Sequence, residues 1–119
     1  MNTQNYASLE ACQRLVDAGI VLETETVWRK ARLGHRYLTR KALYHRTTDI
    51  LAPSMVEVWR ELPADVEVDG EKYNLCAHKI GGVNCAEYVS DLPETIGSAY
   101  GANMADNLID LLIWVKEKP

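Results

Sequence analysis

The sequence has no run of about 18 apolar residues, so a membrane-spanning helix is not expected. Its opening, MNTQNYASLEACQR, lacks a basic stretch followed by an apolar one and does not read as a secretory signal. It has only three cysteines, an odd number at wide spacing, which excludes a secreted disulfide framework and points to a reducing, cytoplasmic setting. Repeats, low-complexity tracts and linkers are absent, so the 119 residues are expected to form a single domain. Also missing are a Walker phosphate loop, a dinucleotide-binding glycine pattern, a His-Glu-x-x-His helix and a nucleophile elbow. No reaction is announced, and the expectation is a protein that is not an enzyme.

The most informative absence is local. No Asp or Glu falls between Glu25 and Asp49, and that gap holds Arg29, Lys30, Arg32, Arg36, Arg40, Lys41 and Arg46. Seven of the chain's 13 basic residues sit there, which leaves six elsewhere against all 17 acids. His35, His45, Trp28, Tyr37 and Tyr44 are interleaved with them. An acidic protein thus carries one concentrated basic segment. One reading is a solvated hairpin whose charges blunt an edge strand. The other is an anion site, in which Arg29, Arg36, Arg40 and Lys41 grip phosphate or carboxylate and Trp28 or Tyr37 offers a ring for stacking.

Taken in order, Ser8 reads as an N-cap for a helix over about 9–18, with Leu9, Cys12, Leu15 and Val16 on its apolar stripe and Gly19 ending it. Cys12 is expected to be a small buried hydrophobe. Residues 20–30 alternate as a strand, Leu33-Gly34 turns the chain, and 37–44 returns. Alternation puts Arg36, Leu38 and Arg40 on one face and Tyr37, Thr39 and Lys41 on the other. Asp49 to Pro63 reads as a second helix with Pro53 in its first turn; Met55, Val56, Trp59 and Leu62 form its stripe, and Trp59 is expected to anchor in the core. Residues 90–102 read as a loop. Asn103 caps a last helix whose buried stripe is Met104, Leu108, Leu111, Leu112 and Val115, with Lys116 and Lys118 in its last turn.

Between these helices lie two hairpin signals, Asp69-Gly70 and Gly81-Gly82. Two-residue turns set register. They pair Val66 with Tyr73, His78 with Cys85 and Cys76 with Glu87. One face, Val66, Val68, Tyr73, Leu75, Ala77, Ala86 and Tyr88, is apolar and should meet the helices. The opposite face carries Cys76, His78, Cys85 and Glu87. Thiolate, imidazole and carboxylate together suit zinc, although the two close ligand pairs of a closed zinc site are absent. A Cys–His nucleophile would also need an oxyanion hole, and nothing marks one. The remaining reading is a face covered by the first hairpin or by another subunit. The predicted architecture is α+β in the order α-β-β-α-β-β-β-α, with helices packed on one face of an antiparallel sheet.

Three phrases, SLEACQRLVDAGIVLETE, ILAPSMVEVWRELPADVEVDGEKYNL and NLIDLLIWVKEK, resemble a family of small α+β proteins encoded by phages and prophages of gut bacteria. The shared motifs are caps, turns and apolar stripes, and no catalytic residues carry over. The resemblance implies a mobile-element origin, residence in the host cell cytoplasm and an accessory or counter-defence role. It does not cover the basic segment. The expected partner is an anionic one, a nucleotide-derived signal or nucleic acid. The alternatives are an acidic host protein met by an inhibitor or adaptor, and a metal- or Cys/His-dependent enzyme. Exposed sheet edges also suit a homodimer.

Overall fold

The computed structural model describes residues 5–41, 48–92 and 94–117. Helix α1 spans Leu9–Asp17, β1 Thr26–Lys30, β2 Arg36–Arg40 and β3 Ile50–Leu51. Helix α2 spans Met55–Glu61, followed by β4 Asp65–Val68, β5 Glu71–Ile80, β6 Val83–Val89, β7 Thr95–Gly101 and α3 Met104–Glu117. The class is the expected α+β, and the expected order holds with β3 and β7 added. The strands form two antiparallel sheets, β2-β1-β3 and β4-β5-β6-β7.

Local chemistry explains the helix ends. Ser8 Oγ accepts from the Ala11 N–H. At the other end Gly19, at φ +73°, lets Ile20 N–H reach the Leu15 carbonyl and Gly19 N–H reach Val16, a Schellman closure. The second helix is shorter than the sequence suggested. Ser54 and Glu57 form a reciprocal capping box that starts it at Met55. The residue before a proline disfavours helical backbone, so Ala52 stays outside, while Ile50 and Leu51 pair with Trp28 and Val27. At α3, Asn103 Oδ1 caps the Asp106 N–H, and the Asp106 carboxylate accepts from Ser8 N–H at 2.7 Å. One side chain thereby joins the starts of α1 and α3.

The first strand is also shorter than expected. Residues 21–26 do alternate between exposed and buried, but 20–25 pair with no strand. Glu25 N–H goes instead to Glu57 Oε2, and Thr24 Oγ1 to the Thr26 carbonyl. The registers across both two-residue turns are those expected: Val66 faces Tyr73, His78 faces Cys85 and Cys76 faces Glu87. The stretch expected to be a loop is β7. Its glycine disguises it, because Gly97 is the extra residue of a β-bulge beside Glu87 and Tyr88. Gly97 has φ +62°, and a Cβ there would lie 2.7 Å from the Trp114 ring.

Helix α3 lies on β6 and β7, with Leu108, Ile109, Leu111 and Leu112 against Ala86 and Tyr88. Buried Asn107 ties it to the sheet through Nδ2, which donates to the carbonyls of Asn84 and Gly101. Tyr88 reaches across to the Pro63 carbonyl at 2.8 Å, and burial pushes its phenol up to about 12. Cys12 is fully buried as expected, its thiol likewise pushed up to about 12 by burial. Among the described residues, no helix is long and apolar enough to cross a membrane.

Candidate functional site

The β1–β2 hairpin turns through Arg32, Leu33 and Gly34. Gly34 N–H bonds back to the Ala31 carbonyl, and Ala31 N–H to that of His35. Register places Trp28 opposite Leu38, Arg29 opposite Tyr37 and Lys30 opposite Arg36. Alternation therefore separates Arg36, Leu38 and Arg40 from Tyr37, Thr39 and Lys41 as expected. Trp28, Leu38 and Ile50 pack against the main core, and Trp28 Nε1–H donates to the Ala7 carbonyl at 3.0 Å. The indole is thus turned inward as an anchor and offers no open ring for stacking.

The cations divide into two sets. Arg29 grips Asp49 with both ends of its fork, Nε to Oδ1 at 3.1 Å and Nη2 to Oδ2 at 2.8 Å. The Asp49 side chain is fully buried and that of Arg29 only 11% exposed. Hydrogen bonding to Asp49 holds the guanidinium pKa above its ordinary value. Arg36 Nη1 donates to the Thr48 carbonyl at 2.6 Å. Both arginines fasten the hairpin to the segment that follows it. Lys30, Arg32, Arg40 and Lys41 are exposed, and no side-chain hydrogen bond or ion pair holds them among the described residues. Tyr37 is exposed, its ring 6.4 Å from that of His35. His45, Arg46 and Tyr44 lie outside the described residues.

The second cluster lies on the four-stranded sheet, on the face turned away from the helices. Strand pairing lays His78, Cys85 and Tyr100 across β5, β6 and β7 as one rung, and Cys76, Glu87 and Ser98 as the next. One ligand atom each from His78, Cys85 and Glu87 lies within 4.8 Å of the other two. His78 Nε2 is 2.9 Å from Glu87 Oε1, and Ser98 Oγ donates to Glu87 Oε2 at 3.2 Å. Cys85 is fully buried and Glu87 nearly so. Burial, then the Glu87 charge, raises the Cys85 thiol. Cys76, expected as a ligand, stands on the same face but outside this group. Ser98 and Tyr100 escape a reading of the sequence because their strand has the composition of a loop.

A third feature corrects the reading of α2. Trp59 does not anchor in the core; it is 41% exposed, and Met55 and Val56 are exposed beside it. Val58 is the buried residue of that helix, and Leu62, just past its end, is buried as well. The exposed three line an apolar groove of about 190 Å³ with Ala77, Met104 and Leu108. A stripe at helical spacing says that a helix has an apolar side, not which element covers it. Comparison of the chain with protein-family models, with curated protein sequences and with solved structures finds no match in any of the three.

Proposed function

We propose that this protein is a non-catalytic binding protein whose β1–β2 hairpin engages an extended phosphate-bearing polyanion, with single-stranded nucleic acid as the simplest case. The observation that carries this reading is the division of the hairpin's charge. Arg29 is paired with the buried Asp49, so no acid lies between the start of β1 and the end of β2 to oppose the exposed charge of Lys30, Arg32 and Arg40; Lys41 follows them beside Glu25, whose carbonyl accepts its backbone N–H. Strand β2 is an edge strand. Arg40 and Lys41 flank its far end from opposite faces, and Arg32 stands in the turn. At about 3.4 Å per residue the four steps from Arg36 to Arg40 alone cover about 14 Å. That reach suits a row of phosphates better than a single nucleotide. The exposed Tyr37 and His35 rings supply faces on which bases stack. Trp28, Arg29 and Arg36, candidates for direct contact from sequence, hold the hairpin in place under this reading.

The test is fluorescence anisotropy of a short labelled DNA strand titrated with protein over a range of salt. Removing Arg32, Arg40 and Lys41 together by alanine substitution should weaken binding and flatten the plot of log affinity against log salt by about 0.7 for each phosphate that the variant no longer neutralises. A poly-glutamate chain of equal charge, which has carboxylates but neither phosphates nor bases, should bind more weakly. Equal or tighter binding of poly-glutamate would replace this reading with that of an adaptor for an acidic protein. An unchanged salt slope in the triple variant would remove the hairpin from the site altogether.

A further inference from the structure

We propose that His78, Cys85 and Glu87 form a three-ligand site for a divalent transition metal, zinc by preference, with the remaining coordination position filled by solvent. The three residues come from adjacent strands whose register is fixed by the tight Gly81-Gly82 turn, so their backbones are in place before any metal arrives. Their ligand atoms lie within 4.8 Å of one another, and the closest pair, His78 Nε2 and Glu87 Oε1, is 2.9 Å apart. Bond lengths of about 2.0–2.3 Å at a tetrahedral centre put such atoms about 3.3–3.6 Å apart. Small side-chain movements therefore suffice: the His–Glu pair opens slightly and the thiol draws in.

The chemistry of the set selects the metal. One thiolate, one imidazole and one carboxylate make a borderline mixture that suits zinc and excludes magnesium and calcium, which take oxygen alone. On binding, the Cys85 thiol proton leaves to solvent and three ligand-to-metal bonds form. The charges of Cys85 and Glu87 then balance the ion, which leaves no net charge on a nearly buried carboxylate and a fully buried sulfur. The surroundings resemble those of a ligand already aimed. Ser98 Oγ holds Glu87 Oε2 and leaves Oε1 directed at the histidine, the arrangement by which outer partners orient metal ligands. The regular β6–β7 register that runs from Asn84–Gly101 to Glu87–Ser98 places Ser98 opposite Glu87. Cys76 stands one rung away and takes no part in this site.

The experiment is titration of tag-free, reduced full-length protein with cobalt(II), followed by absorbance, with zinc then added in competition. A one-to-one end point is expected, with a thiolate-to-cobalt charge-transfer band and visible ligand-field bands typical of four-coordination, both bleached by zinc. Cys85→Ser should abolish the charge-transfer band. His78→Asn, at a position about 31% exposed, should weaken cobalt binding at least 100-fold, with the far-ultraviolet circular dichroism of the variant unchanged. Ser98→Ala should weaken it about 10-fold while the band persists. Cys76→Ser should change nothing. Absence of a charge-transfer band in the unaltered protein, or its survival in Cys85→Ser, overturns the proposal and leaves the group as a His78–Glu87 ion pair. Loss of the spectrum in Cys76→Ser overturns the assignment of a solvent-filled position.

Discussion

The two sheets handle polar side chains in opposite ways. In the four-stranded sheet the faces are segregated: Tyr73, Ala86 and Tyr88 go to the helices, while Cys76, His78, Glu87 and Ser98 stand on the far side. In the three-stranded sheet charged residues serve both as fasteners and as free surface, on the same strands and within a few residues of each other. Arg29 is bound into a buried ion pair, and Lys30 beside it is exposed. The contrast shows that a cluster of like charge in a sequence is a mixture of roles until the partners of each member are known.

Removing one cation of each kind separates the two roles. Arg29→Ala removes the two-pronged guanidinium partner of the buried Asp49 carboxylate and should cost about 3–5 kcal/mol in urea denaturation. Arg40→Ala and Lys41→Ala should stay within about 0.5 kcal/mol of the parent. Equal losses from Arg29 and Arg40 would mean that the hairpin's charges are not divided as described.

A smaller effect sharpens the other side. Gly97→Ala forces a side chain into the left-handed region and against the Trp114 ring, and should cost about 2–3 kcal/mol. Gly82→Ala shares the positive φ but opens onto free space, so about 1 kcal/mol is expected. The difference between the two, read from thermal melts, isolates the packing of β7 on α3.

A further effect is a pH dependence in the alkaline range, to which the Tyr88 phenol of the segregated sheet contributes alongside the Cys12 thiol of α1. Burial raises the Tyr88 phenol from 10.0 to about 12. Its contribution to stability is therefore complete below pH 10 and falls away as pH rises towards 12, because the unfolded chain releases the proton first. Melting temperatures taken across that window should decline in the parent. Tyr88→Phe, which gives up the bond to the Pro63 carbonyl, should start lower and decline less.

How much of this is legible in the sequence follows from the same contrast. The β4–β5–β6 register is legible because Asp69-Gly70 and Gly81-Gly82 each permit one pairing. The caps Ser8 and Asn103 are legible because their partners lie within one helical turn. The role of Arg29 is not, because Asp49 lies 20 residues away and nothing local couples them. Trp59 is misplaced by its stripe because the residues that leave it open, Ala77 and Met104, belong to other elements. Of the metal group, His78, Cys85 and Glu87 are legible from register, whereas Ser98 requires knowledge of a strand that its own glycine disguises.

That glycine has a consequence for how the strand is numbered. Ile96 and Ser98 are both even positions yet point to opposite sides of the sheet, because the residue between them also turns towards α3. Gly97 thus works as a change of parity in the chain. Shortening the strand by this one residue would leave Ser98 and Tyr100 on the side they already occupy. A one-residue change elsewhere in β7 would exchange the two sides. Length and orientation are uncoupled at this single point.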